Sequence, residues 1–419
     1  MKSLKLKIEK ENFKMVQKTV NLVMAVANDN GNGYAKTYCQ FEDGSNNTTI
    51  TPSLYAPAIG ESIPDLSDVN FKNLNSNMDV IIKSPALKKS SEYLVGEAAA
   101  TSSNLTDYNV EANTGKATPD MSIIIPATKI AYAALEHVIT QNNGIPNTIN
   151  VTLPYYITCL PIAEFSNHNR RELLSKKLSK GKHTVLIKNL NHDVKVIITF
   201  SKENTYVYPE GVTAQIGLIR NPDNFLAYRQ DALFTNAPFK NGKEYNDAGN
   251  ILLIDLGDGT TDLSIMHGLH PLKGLGVNTS INQGVGTAAA AASDQLAIEY
   301  PQLGHYSRST FLNYILQNNQ KGKILRKYLN SQIEQLIRII STAVAKEYRQ
   351  VNNNINSIVV LGGGVNLLTK DNQATLQAFV DELDPFVKHV PIWWIPSKYS
   401  QLLNLDGLRT LLSQKLNRR

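Results

Sequence analysis

Carboxylates and glycines recur at one spacing in two places, more than half the chain apart. Asp29-Asn30-Gly31-Asn32-Gly33 ends an apolar run from Val20 to Asn28, and Asp255-Leu256-Gly257-Asp258-Gly259-Thr260-Thr261 ends another that starts at Asn250. Each run has the length of a buried strand, and a polar return strand follows each turn. Glycines at a hairpin tip let the backbone approach a bulky anion, because no Cβ stands in the way and positive φ costs little. Successive N–H groups in such a turn form an anion-binding concavity, to which Thr260 and Thr261 add hydroxyl donors. A carboxylate at the end of a buried strand, such as Asp255, tolerates a phosphate only with a cation between them. Mg²⁺ has that role at phosphate sites and usually keeps several of its waters. One Asp-x-Gly-x-Gly turn is also what an ordinary tight turn looks like. Two copies point to a duplicated fold whose hairpins face each other across a cleft. A third apolar strand, Ile358 to Leu361, runs into Gly362, Gly363 and Gly364, where backbone could lie against a flat ligand such as a nucleoside.

The elements that must hold these turns follow from the pattern around them. Tyr34 to Phe41 alternates as a return strand, and Tyr55 to Pro119, rich in Asn, Ser, Asp and Pro, reads as an inserted subdomain with mobile loops. Met121 to Val138 reads as a helix that tolerates Pro126 only in its first turn. Ile149 to Cys159 reads as one strand and Ala163 to Leu178 as one basic amphipathic helix. Val207 to Val212 opens another helix, with the crossing between domains placed there. Apolar residues at helical spacing run from Lys323 to Tyr348, and a last helix runs from Asn404 to Leu416. With 419 residues the chain can form two domains of ordinary size. A net charge of +6, from 42 basic and 36 acidic residues, comes without a compact basic motif and reads as a solvated surface. Cys39 and Cys159 imply no disulfide framework and fit a reducing cytoplasm. No apolar run has the length needed to span a bilayer. The Lys-rich start, Met1 to Lys18, imitates a signal peptide together with Val20–Ala27. Cleavage there would remove the strand behind the first hairpin, so the segment is expected to be an exposed extension.

In this order the three motifs resemble phosphate 1, phosphate 2 and adenosine of the actin/Hsp70/sugar-kinase superfamily. Within it the chain most resembles the bacterial plasmid-segregation actins, the ParM/StbA family. Asp29-x-Gly31-Asn32-Gly33-x-x-Lys36 is similar to that family's first motif. Thr49-Ile50-Thr51-Pro52-Ser53-Leu54, Tyr93 to Ala99, Thr158-x-Leu160-Pro161-Ile162-x-Glu164-Phe165 and Pro209-Glu210-Gly211 carry further likeness, which spans Val20 to Leu412. Two positions depart: Cys159 stands where a Gly is usual, and Asp258 where Gly or Ser is usual, its side chain expected to point to solvent or to a metal's water shell. The resemblance implies an α/β, actin-like (ribonuclease H-like) duplicated fold, two domains around a nucleotide cleft. A basic extension would cover 1–19. Domain I would cover 20–205, with the inserted subdomain at about 55–119 and completion by 385–419, and domain II would cover 206–384.

It also implies a Mg-dependent ATPase, with GTP as the other candidate nucleotide. Asp29 and Asp255 would hold the Mg²⁺ shell through water. Gly31, Asn32, Gly33, Gly257, Gly259, Thr260 and Thr261 would cradle phosphates, with Lys36 on the β- or γ-phosphate and Gly362, Gly363 and Gly364 under the nucleoside. Glu210 would orient or deprotonate the attacking water; its other reading is a first-turn carboxylate favouring a helix dipole. Other chemistries fail on the residues. The chain has no P-loop, position 36 is Lys where a Rossmann fingerprint needs its third Gly, and no Gly-x-Ser-x-Gly elbow appears. The eight His and two Cys show no metal-ligand spacing. The leading expectation is a cytoplasmic, filament-forming ATPase that partners with itself and reaches plasmid DNA through a DNA-binding adaptor, without sequence-specific DNA contact of its own or a membrane. A small-molecule kinase or an Hsp70-like ATPase on the same fold is the alternative.

Overall fold

The structure is a computed structural model that describes residues 16–58, 71, 73–100, 102, 104–106, 115–142, 144–188, 190, 192–272, 278–306, 308–317, 319–383 and 389–417. Most of the Lys-rich start and Leu275 to Val277 lie outside the described residues. The first half of the chain builds strands β1 (Val16–Asn30), β2 (Tyr34–Phe41), β3 (Asn46–Pro52), β4 (Tyr55–Pro57), β5 (Asn77–Lys83), β6 (Ser91–Gly96), β7 (Pro146–Leu153), β8 (Tyr156–Leu160), β9 (Lys182–Ile187), β10 (Val194–Phe200) and β11 (Thr205–Pro209). They form one sheet in the order β11-β8-β1-β7-β10-β9-β5-β6-β4, with β2 and β3 added beside β1. Helices α1 (Met121–Asn142), α2 (Ile162–Ser166) and α3 (His168–Leu178) belong to this half.

The second half adds α4 (Val212–Ile219), the small hairpin β12 (Arg220–Asn221) and β13 (Asn224–Tyr228), and α5 (Gly242–Asn246). Strands β14 (Asn250–Leu256), β15 (Thr261–His267), β16 (His270–Pro271) and β17 (Asn278–Ile281) precede helices α6 (Val285–Glu299), α7 (Arg308–Leu316) and α8 (Gln320–Gln350). Then come β18 (Ser357–Leu361), α9 (Lys370–Leu383), β19 (Ile392–Trp394), α10 (Ser397–Ser400) and α11 (Leu403–Leu416). Its sheet runs β16-β15-β14-β18-β19, with β17 on β15. Leu252, Ile254, Leu263 and Ile265 bury one face of this sheet against α6 and α8, with Ala289, Leu329 and Ile333 among their partners.

Four local readings are corrected. The first strand begins at Val16 rather than Val20 and already pairs there with Pro146 of β7. The expected strand Ile149–Cys159 is two strands, interrupted at Pro154, which has no N–H to give a ladder. The expected single helix Ala163–Leu178 breaks at Asn167, whose side chain accepts from the N–H groups of Asn169 and Arg170 and starts α3 afresh. Helix α1 carries Pro126 in its interior, five residues past Met121. Met121–Gln141 is also long and apolar enough, by length and composition alone, to cross a bilayer, against the expectation; 83% of it is buried in the structure. A helix apolar all round belongs in a core, and α1 packs with Ile149, Val151 and Val196 of the large sheet.

Strands β4 to β6, from the expected insertion, extend the large sheet through β5 on β9. Helix α11 lies against both halves: Leu405, Leu408 and Leu412 pack with Ala25, Ala27 and Ile157 of the large sheet and with Ile216 of α4. Its crossing with α4 is close because Gly217 and Gly407 face it. A Cβ on Gly407 would stand 1.7 Å from the Thr213 carbonyl oxygen.

Candidate functional site

The two turns read from the sequence are hairpins with matched register. In β1–β2, Asp29 stands opposite Lys36, and in β14–β15, Asp255 stands opposite Asp262. Both tips are held by their carbonyl oxygens, which would repel a phosphate if left facing it. Ser53 donates its N–H to the Gly33 carbonyl (2.9 Å) and its hydroxyl to the Gly31 carbonyl (2.6 Å). At the other tip the first N–H groups of α6 do the same work, Val285 to Gly257 (3.1 Å) and Gly286 to Asp258 (2.7 Å). The tips touch across the cleft: a Cβ on Gly33 would meet the Asp258 side chain at 3.2 Å. The Asp258 carboxylate is therefore half-buried against the first hairpin, not turned to bulk solvent.

Between the tips and the floor lies a cleft of about 640 Å³, open solvent at its mouth included. Asp29, Lys36, Lys116, Glu210, Asp255 and Asp262 line it at one end, and Gly362, Gly363, Ser400, Gln401 and Asn404 line it as well. Gly362 has φ of 95°, and a Cβ there would strike the Leu256 carbonyl at 2.4 Å and Asp255 Oδ1 at 2.5 Å. Only glycine lets the end of β18 cross over the half-buried Asp255 carboxylate in this way.

Charge divides unevenly between the hairpins. Lys36 Nζ donates to Asp29 Oδ2 at 2.7 Å, so the first hairpin carries its own counter-ion. Burial works most strongly against the Lys36 ammonium, yet the charge and hydrogen bond of Asp29, with the charge of Asp255, together hold the group above its ordinary range. The second hairpin places two carboxylates opposite each other, an arrangement that costs stability unless compensated. Burial first, and the charge of Asp262 second, push Asp255 up to about 6, although Lys36 and a hydrogen bond from Asn404 Nδ2 (3.0 Å) pull the other way. Burial raises Asp262 too, against hydrogen bonds from Ser280 and Thr260 and the charge of Lys116.

Glu210 follows β11, and its N–H donates to the Leu160 carbonyl at 2.7 Å. Its Oε1 accepts from Lys116 Nζ at 2.8 Å, with both residues buried. Burial pushes Glu210 up to about 7; Lys116 pulls it down in part, and Asp29 and Asp262 add to the rise. Burial opposes the Lys116 charge in turn, but Glu210 and Asp29 hold the ammonium firmly protonated. Cys159 Sγ lies 3.7 Å from Asp29 Oδ1, and burial, then Asp29 and Glu210, keep it a thiol. Ligand atoms of Asp29, Cys159 and Glu210 come within 4.8 Å of one another.

Of the residues named from the sequence, Asp29, Gly31, Asn32, Gly33, Lys36, Glu210, Asp255, Gly257, Thr260, Gly362 and Gly363 line this cleft together. Gly259, Thr261 and Gly364 stand outside its lining. Thr261 is buried with its hydroxyl on the Gln283 carbonyl (2.8 Å), and Gly364 packs on the Leu256 side chain. Glu210 lies before α4, with Gly211 as the helix cap, so it is not a first-turn carboxylate. Sequence reasoning missed Lys116, Asp262, Asn404 and Tyr34. Asp262 had a signal: seven residues after Asp255 in a hairpin, it must fall opposite. Lys116 had none, since the turn that carries it belongs to no motif.

Residues 253–373 match the family model described as archaeal actin homologue MreB-like, C-terminal. No curated protein matches the sequence. Among solved structures, the actin-like protein Alp7A superposes with a TM-score of 0.64 at 16% identity, covering 95% of this chain and 98% of that one. A non-polymerisable quadruple mutant of pCBH ParM gives 0.61 at 17% identity, with 94% and 99% covered. Bacillus thuringiensis ParM with ATP gives 0.57 at 15% identity, with 95% and 100% covered. Two glycine-tipped hairpins facing each other over a cleft, together with superposition on these structures over most of the chain, establish that the chain has the actin-like fold.

Proposed function

We propose that the chain is a cytoplasmic, filament-forming ATPase of the plasmid-segregation type, which assembles with bound ATP or GTP and hydrolyses it, and which reaches DNA through an adaptor protein. The observation that carries this reading is the uneven charge of the two hairpins. The first is neutralised by Lys36. The second faces the cleft with two half-buried carboxylates, and such an all-oxygen donor set suits a hard divalent cation. Asp29 and Asp255 would hold Mg²⁺ through its waters, with Asp262 adding charge, and the ion would screen the phosphates from these carboxylates. Similar structures titled ParM with ATP and ParM with ADP support a nucleotide in the cleft.

In the hydrolysis proposed, positioning and charge supply nearly all the catalysis. A water oxygen bonds to the terminal phosphorus, the bond to the bridging oxygen breaks, and its electron pair leaves with the diphosphate. The water's proton passes to the Glu210 carboxylate. With its proton affinity lifted to about 7, Glu210 is matched to that role near neutral pH. Lys36 and the hairpin N–H groups meet the phosphates.

The test is light scattering and negative-stain microscopy of the pure protein with Mg-ATP and Mg-GTP. Filaments should form and then decay as nucleotide is spent. Glu210→Ala should still bind Mg-nucleotide and assemble, release phosphate on the order of 10²-fold more slowly, and leave filaments that persist after a single addition. Scattering that stays flat over a wide range of protein concentration refutes filament formation and favours a small-molecule kinase. Glu210→Ala filaments that decay at the parent's rate refute the role of this residue.

A further inference from the structure

Among the described residues, Lys116 is the one cleft-lining cation that neither hairpin supplies. Lys36 is fixed by strand register opposite Asp29, whereas Lys116 sits in a turn between the described ends of the inserted stretch and α1. That turn is built with care. The Glu164 carboxylate accepts the N–H of Lys116 through Oε1 and the N–H of Ala117 through Oε2 at 3.1 Å. Lys177 Nζ, from α3, donates to the carbonyls of Thr118 and Pro119 and to the Ser122 hydroxyl, each at 2.9 Å. Gly115 has φ of 65°, and a Cβ there would strike the Glu164 carboxylate. A carboxylate on one side and an ammonium on the other thus clamp the backbone of residues 116–119. The Lys116 side chain is delivered into the cleft from this clamp.

An ammonium has three N–H donors on a flexible stem. One of them is spent on Glu210. The others lie in the same cleft, among Asp29, Glu210 and Asp262, at the end of it that carries the carboxylates. A group that only neutralised Glu210 would need neither the clamp nor a place in the cleft lining. We propose that Lys116 recognises the terminal phosphate: one N–H holds the Glu210 carboxylate while the remaining donors meet the terminal phosphoryl oxygens. The base and the group it serves are thereby kept in one arrangement. Lys116 then distinguishes triphosphate from diphosphate, and Glu164 is the positioning residue that sets it. This inference rests on the nucleotide reading above and deepens it.

The test compares binding of a non-hydrolysable triphosphate analogue and of ADP, both with Mg²⁺, by titration calorimetry on the full chain. Lys116→Met should weaken the triphosphate analogue roughly 10- to 100-fold, the scale of a hydrogen bond to a charged group, and leave ADP within about twofold. Glu164→Ala should shift the same ratio in the same direction by a smaller factor. Lys116→Met leaves Glu210 buried without its partner, so the double variant Lys116→Met/Glu210→Gln guards against a folding defect. The double variant should keep the lost preference, and Glu210→Gln alone should retain the parent's preference. Equal weakening of both nucleotides by Lys116→Met overturns the inference and leaves the nucleotide reading standing. So does a triphosphate preference regained in the double variant, since Lys116 would then act only by neutralising Glu210. A parent that binds neither nucleotide overturns both.

Discussion

Lys129, in the middle of α1, is 0% exposed, and its ammonium has the Asn75 carbonyl as hydrogen-bond partner. Burial pulls this lysine down to about 7 from 10.5, with Glu97 offsetting only a little. The unfolded chain therefore binds a proton that the folded one resists between pH 7 and 10.5. Stability must rise with pH across that window, and the full cost of the buried charge is present below about pH 7. At about 1.36 kcal/mol per pH unit, that cost is roughly 4–5 kcal/mol. Lys129→Met keeps the length of the side chain and removes the charge, but leaves the Asn75 carbonyl without this donor, at roughly 1–3 kcal/mol. The variant should therefore be more stable than the parent by roughly 2 kcal/mol or more at pH 7, and less stable by roughly 1–3 kcal/mol at pH 10.5. Urea denaturation of both proteins at the two pH values measures the difference, in which all shared titrations cancel. A Met variant that is less stable at pH 7, or a difference that does not change with pH, refutes the buried-charge argument.

Two further outcomes follow from the cleft and from the helix crossing. Asp255→Ala should fold yet lose Mg-nucleotide binding. In the parent, where a proton competes with the cation for a carboxylate held near 6, that affinity should fall as pH drops through about 6; calorimetry across pH 5–8 checks both. Gly407→Ala forces α11 away from α4 against a backbone carbonyl and should cost roughly 1–3 kcal/mol or more in chemical denaturation; an unchanged midpoint would mean that the two helices separate freely.

What could be read from the sequence was local. An apolar strand, a glycine turn and a return strand lie within a dozen residues, so both hairpins and the Gly362–Gly364 turn were visible as pattern. Their facing arrangement followed from there being two of them. What the pattern did not carry was long-range. Lys116 meets Glu210 across 94 residues of chain, and Asn404 meets Asp255 across 149. Lys116 belongs to no motif, and the helix read from Asn404 onward carried no mark of what its first residue would face. Breaks inside elements were missed for a different reason. Asn167 caps a new helix where the amphipathic spacing simply continues, and Pro126 is carried by a helix whose burial outweighs one lost backbone bond. For Asp258 the solvent-facing alternative failed because a hairpin tip was treated as a surface feature, whereas here each tip is the other's wall.

The duplication itself explains why the site is built unevenly. Asp29 and Asp255 occupy equivalent ends of equivalent strands, and the residues facing them are Lys36 in one copy and Asp262 in the other. Had both copies kept a lysine, the cleft would hold two closed ion pairs, with little to attract a divalent cation. Had both kept an aspartate, four carboxylates would meet in one cleft with little but Lys116 to balance them, a costly arrangement. One hairpin neutralised and one left acidic gives a cleft that would favour a cation at one wall. An anion arriving with that cation would find Lys36 and Lys116 in the same cleft lining. On the nucleotide reading proposed above, metal and phosphate would bind as a unit, each half of the molecule supplying what the other lacks.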